Sequence, residues 1–181
     1  MVIYLFSHSE LNDFHIERLA DALTHNTLIT KLNLSHNNIQ AEGCIKIAEA
    51  LQKNPSTLET LLLDNNPIGS EGAIELFKAL KTHLKLRELN LSKCGISTYN
   101  SSIALKDMLE TNRSLKYLVF KQNHLQGSSL QQVFDSLKRN TTLNTLILCN
   151  TFVDQLESLT SALVANKTLT SLSLSHPIPY K

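Results

Sequence analysis

The sequence predicts an α/β solenoid, a right-handed arc of about seven repeats with a parallel β-sheet on its concave face and α-helices on its convex face. Three observations predict it. One frame, LxxLxLxxNxL, returns seven times, starting at Met1, Ile29, Leu58, Leu86, Leu115, Leu143 and Leu169, with spacings of 28, 29, 28, 29, 28 and 26 residues. Leucine supplies 34 of the 181 residues and is spread evenly, a composition that calls for a repeat. Within each block the apolar period switches from two to three or four, as a short strand followed by an amphipathic helix requires.

The strands come first in each block. Alternation at Leu32/Leu34, Leu61/Leu63 and Leu89/Leu91 buries one face of a short strand. In the first block Met1, Tyr4 and Phe6 are expected in the core, with Ile3 and Leu5 facing solvent. The helical stripes follow: Ile16, Leu19, Ala20 and Leu23; Cys44, Ile47, Ala48 and Leu51; Ala73, Leu76, Phe77 and Leu80; Leu105 and Leu109; Leu130, Val133, Phe134 and Leu137; Leu156, Leu159 and Leu163.

Two columns of polar residues punctuate these elements. Asn26, Asn54, His83, Asn112, Asn140 and Asn166 each fall three residues after the last leucine of a helix, where a left-handed backbone is expected and asparagine tolerates it. That register also accounts for the glycosylation-like triplets at Asn112, Asn140 and Asn166. The second column is the Asn of the frame, Asn37, Asn66 and Asn123, expected to bond the turn leaving the strand and to bridge neighbouring repeats. Ser9, Cys94, Thr151 and Pro177 replace it in the other blocks.

The chain reads as one domain, residues 1–181, long enough to fold without a staple. Lys plus Arg number 17 against 16 Asp plus Glu, a net charge of +1 with no like-charge run, which argues against nucleic acid as a partner. The six apolar residues before Ser7 are too few for a signal peptide or a membrane span, so no membrane partner is expected. Cys44, Cys94 and Cys149 lack metal or disulfide spacing and point to a reducing, cytoplasmic compartment.

The 28/29 alternation, the LxxLxLxxN/CxL frame and the stretches IQAEGCIKIAEAL and IGSEGAIELFKAL resemble the leucine-rich repeats of the ribonuclease-inhibitor type, shared with the sensor arms of NOD-like receptors, tropomodulin ends, bacterial effectors and the Ran GTPase-activating protein. The resemblance covers essentially the whole chain. It implies the horseshoe fold and leaves function open, because that scaffold carries inhibitors, receptors, GTPase activators and effectors.

With the leucines inward, the third, fifth, seventh and eighth frame positions face out of the sheet. Tyr117, Val119, Ile147 and Cys149 then form an apolar patch on adjacent strands, and Glu88, Lys93 and Lys121 surround it. An apolar anchor with a polar rim is the pattern of a protein contact site. His8 and His36 share one column but are expected to lack a nearby carboxylate or thiol, so no metal site follows. Phosphate-loop, HExxH and GxSxG motifs are absent, and no catalytic residue or cofactor is expected.

The expected function is therefore a non-catalytic module that binds a protein through its concave sheet, with a bacterial effector acting in host cytosol as one context. The alternative is a GTPase regulator similar to the Ran activator, for which Arg18, Arg87, Arg113 and Arg139 are the available arginines. The apolar edge MVIYLF adds the expectation of a homodimer through the N-terminal strand, and Pro177 and Pro179 are expected to stop the ladder at the other end.

Overall fold

The computed structural model describes residues 2–53, 57–125, 127–148 and 156–174. Seven strands, β1 (Val2–Leu5), β2 (Ile29–Asn33), β3 (Thr60–Leu62), β4 (Glu88–Asn90), β5 (Tyr117–Val119), β6 (Thr145–Ile147) and β7 (Ser171–Ser173), alternate with six helices. These are α1 (Asp13–His25), α2 (Ala41–Lys53), α3 (Gly69–Leu80), α4 (Tyr99–Thr111), α5 (Ser128–Leu137) and α6 (Leu156–Ala165).

The strands pair in chain order, β1 through β7, and every pairing is parallel. Each helix packs on the next, so the molecule is a sheet wall against a helix wall. Strands sit about 4.8 Å apart while packed helices need about 8–10 Å, and this mismatch bends the stack toward its strands. The sheet is therefore the concave face.

The core lies between the walls. Leu32, Leu61, Leu89, Leu118 and Leu146 face each other in register and are fully buried. The stripes of α2, α3 and α5 are buried as expected. Gly72 shows how closely the helices approach: a Cβ there would lie 3.0 Å from the Ala41 Cα on the neighbouring helix. The outer units differ from expectation. Tyr4, placed in the core column opposite Leu32, is 39 % exposed because β1 has no described neighbour on its other side. Leu156 and Leu163 of α6 are exposed for the matching reason, while Leu159 stays buried. Met1 lies outside the described residues, as do Pro177 and Pro179.

The helix-end column works by side chain and not by backbone. Asn26 and Asn112 have extended backbones, φ −85° with ψ 124° and φ −64° with ψ 138°, so the expected left-handed conformation does not occur there. What the column supplies is an amide. Asn112 Oδ1 accepts from the amides of Ser114 and Leu115, and its Nδ2 donates to the carbonyls of Leu80 and His83 in the preceding repeat. Asn140 and Asn166 repeat the arrangement, and Asn112 and Asn140 are buried, which leaves their triplets structural. Asn54 lies outside the described residues.

The left-handed column is instead the eighth frame position. His8, His36, Asn65, Lys93 and Gln122 all have φ of 55–56°. The chain turns sharply there, immediately before the ladder residue, so the asparagine side chain can reach back one repeat. Asn37 Oδ1 accepts from Ser9 and Leu11, Asn66 Oδ1 from Ile39, and Asn123 Oδ1 from Cys94 and Ile96. Cys94 supplies part of the same bridge, its thiol donating to the Leu63 carbonyl at 3.3 Å.

Candidate protein-interaction face

Leu118 and Leu146 point inward with no exposure, so their neighbours along each strand point out. Register places Tyr117 between Glu88 on β4 and Thr145 on β6, and Val119 between Asn90 and Ile147. The described apolar members of the expected patch therefore lie on two adjacent strands, β5 and β6, with Glu88 beside them on β4. Tyr117 is 50 % exposed, and Val119 and Ile147 are half-buried beside it. Lys93 and Lys121 lie just beyond the C-terminal ends of β4 and β5, both exposed, and the Lys93 amide donates to the Lys121 carbonyl at 2.8 Å. Glu88 stands at the opposite end of β4, where Thr60 Oγ1 donates to its carboxylate at 3.3 Å. Cys149, the remaining expected member, lies outside the described residues.

The N-terminal half of the same face carries a hydrogen-bonded cluster that the repeat frame did not single out. Asp64 Oδ1 accepts from Ser35 Oγ at 2.6 Å and from Asn90 Nδ2 at 3.0 Å, and Oδ2 accepts from Asn65 Nδ2 at 2.9 Å. His36 Nε2 lies 3.8 Å from Asp64 Oδ2. His36 in turn stacks on His8, with ring centroids 4.1 Å apart and 13° between the planes. The expectation that these imidazoles lack a nearby carboxylate is thus corrected, because the left-handed turn swings His36 over the neighbouring repeat. Among the described residues no three His, Cys, Asp or Glu side chains are placed to hold a metal ion. The signal available in the sequence was Asp64 between two serines, Ser35 and Ser92, in the seventh column.

The described thiols are packing groups. Cys44 is fully buried, and burial, reinforced by nearby Cys94 and Asp13, drives its pKa far above the ordinary thiol value. Burial likewise pushes the Cys94 thiol up to about 12 against the opposing hydrogen bond at Asn66, with Asp64 adding to the rise. Both are free. No helix among the described residues is long and apolar enough to cross a membrane.

A solenoid of strand, asparagine turn and helix with an asparagine ladder between repeats defines a class of protein. The Leucine Rich repeat family model matches residues 25–48, 54–77 and 82–98. The human NACHT, LRR and PYD domains-containing protein 13 is 32 % identical over 160 residues, covering 87 % of this chain and 13 % of that protein. The bovine NACHT, LRR and PYD domains-containing protein 3 is 30 % identical over 174 residues, covering 94 % of this chain and 17 % of that protein. The protein phosphatase 1 regulatory subunit 37 homolog of Caenorhabditis elegans is 28 % identical over 153 residues, 80 % of this chain and 16 % of that protein. The chain thus spans under a fifth of each of these relatives' length.

Among solved structures, leiomodin-1 actin-binding site 2 superposes with a TM-score of 0.66 at 24 % identity, covering 77 % of this chain and 80 % of that one. The C-terminal domain of Caenorhabditis elegans tropomodulin superposes with a TM-score of 0.64 at 19 % identity, covering 77 % and 84 %. These likenesses establish the fold. The chain is a leucine-rich repeat protein.

Proposed function

We propose that this chain is a non-catalytic protein-interaction module that receives its partner on the concave sheet, at the patch formed by Tyr117, Val119 and Ile147. The observation that carries the reading is Tyr117: half-exposed between Glu88 and Thr145, it leaves an aromatic ring unpacked beside two aliphatic side chains on a preformed surface. Aromatic anchors of this kind dominate protein interfaces. The relatives support the same reading, since one of them is named as a regulatory subunit of a phosphatase. The 28/29 period supports the ribonuclease-inhibitor subtype. Two buried, unpaired thiols support a cytoplasmic, reducing setting.

Affinity capture from eukaryotic cytosolic lysate tests the proposal by comparing the wild-type chain with a Tyr117→Glu/Ile147→Glu variant. A protein recovered by the wild type and lost with the variant supports the concave face. Identical recovery by both contradicts it.

A further inference from the structure

We infer that the occupant of this face is an extended segment of a protein partner in which acidic residues adjoin apolar ones, the carboxylates meeting Lys93 and Lys121 while the apolar side chains cover Tyr117, Val119 and Ile147. The inference rests on the concave-face reading above and adds the chemistry of the partner.

The charges around the patch are unevenly satisfied. On the helical side Lys46, Lys78, Lys81 and Lys138 each find a carboxylate, within 2.6–3.5 Å, while Lys106 donates to the Gln132 side-chain oxygen and Lys53 meets no carboxylate among the described residues. Neither Lys93 nor Lys121 has a carboxylate within salt-bridge distance among the described residues. The acids of the concave face are engaged elsewhere. Asp64 is bonded by Ser35, Asn65 and Asn90, and Glu88 takes the Thr60 hydroxyl at the far end of β4.

The backbone bond between Lys93 and Lys121 gathers two positive residues at the same corner of the sheet. Both lysines belong to the repeats that carry β4 and β5, beside the apolar surface, where a carboxylate brought in by a partner gains more than it would in open water. Glu88 sets the polarity. A segment lying along β4 and β5 places its acid at the C-terminal strand ends and keeps acid away from the N-terminal ends. The sheet is too narrow and open for a small molecule to be enclosed, whereas a chain in extended form matches the strand direction and presents alternate side chains to it.

The test selects displayed random peptides of about a dozen residues against the whole chain. Enrichment of Asp or Glu next to Leu, Ile or Phe is expected. A synthetic copy of the selected peptide should lose about tenfold or more in affinity for Lys93→Glu/Lys121→Glu, and should weaken as salt is raised. Selection against that charge-reversed variant should turn toward Lys and Arg, which shows that the variant is folded and that the rim reads charge.

Peptides that depend on Tyr117 but are indifferent to Lys93→Glu/Lys121→Glu overturn the acidic inference and leave the concave reading standing. Peptides indifferent to both substitutions overturn both. Failure to enrich any peptide, or binding of a single-stranded oligonucleotide at these lysines in place of peptide, overturns the inference as well.

Discussion

The Asn112 side chain donates from Nδ2 to the backbone carbonyl of His83 at 3.1 Å, fastening the end of one helix to the end of the helix before it. His83 occupies the same column one repeat earlier, but an imidazole can do only half of the work of an amide. Its Nδ1 accepts from the Leu86 amide at 3.1 Å and from the Lys85 amide at 3.3 Å, as the asparagine oxygen does. Its buried Nε2 finds no partner among the described residues.

Replacing His83 by Asn should therefore stabilise the chain by about 1 kcal/mol, since the new Nδ2 can reach back toward the Leu51 carbonyl. A pH signature accompanies this. Burial lowers the His83 pKa from 6.5, so below about pH 6.5 the unfolded chain binds a proton that the folded chain resists, and stability falls with falling pH. Urea titrations at several pH values between 7.5 and 5 check both points, and the His83 contribution to the acid loss should vanish in His83→Asn.

Asn112→Ala removes the amide and strands two amides and two carbonyls that are buried around it. A loss of about 3 kcal/mol is expected, at the high end for one polar side chain. Denaturant unfolding measures it, and a loss comparable to that of an exposed surface substitution would show that the column is dispensable.

Cys44 and Cys94 should resist alkylation in the native chain at pH 8, because the buried thiols are not ionised there. Peptide mapping after iodoacetamide treatment should find both unmodified without denaturant and both modified in urea.

Much of the architecture was legible because the leucines alone declare it. Once Leu61, Leu89 and Leu118 are fixed inward, the outward set including Tyr117 and Val119 follows from alternation. Three features were not legible. The left-handed conformation falls at His36 and Lys93 instead of at the helix ends, since the tight turn out of each strand needs it more than a helix end whose asparagine amide already satisfies the backbone. Tyr4 and Leu163 obey the apolar frame yet remain exposed, because burial in a repeat stack comes from the neighbouring unit and not from the residue's own block. The Asp64 cluster draws on three successive repeats, a juxtaposition that no single frame displays.

The most direct measurement is the affinity of a captured partner for Tyr117→Glu/Ile147→Glu beside a helical-face control, Tyr99→Glu/Ile103→Glu, with circular dichroism melts of all three chains. Loss of two anchors at an interface centre should weaken binding by about a hundredfold or more, while the control binds as the wild type does and the melts nearly coincide. Binding retained by the concave-face variant and lost by the helical-face control would contradict the account.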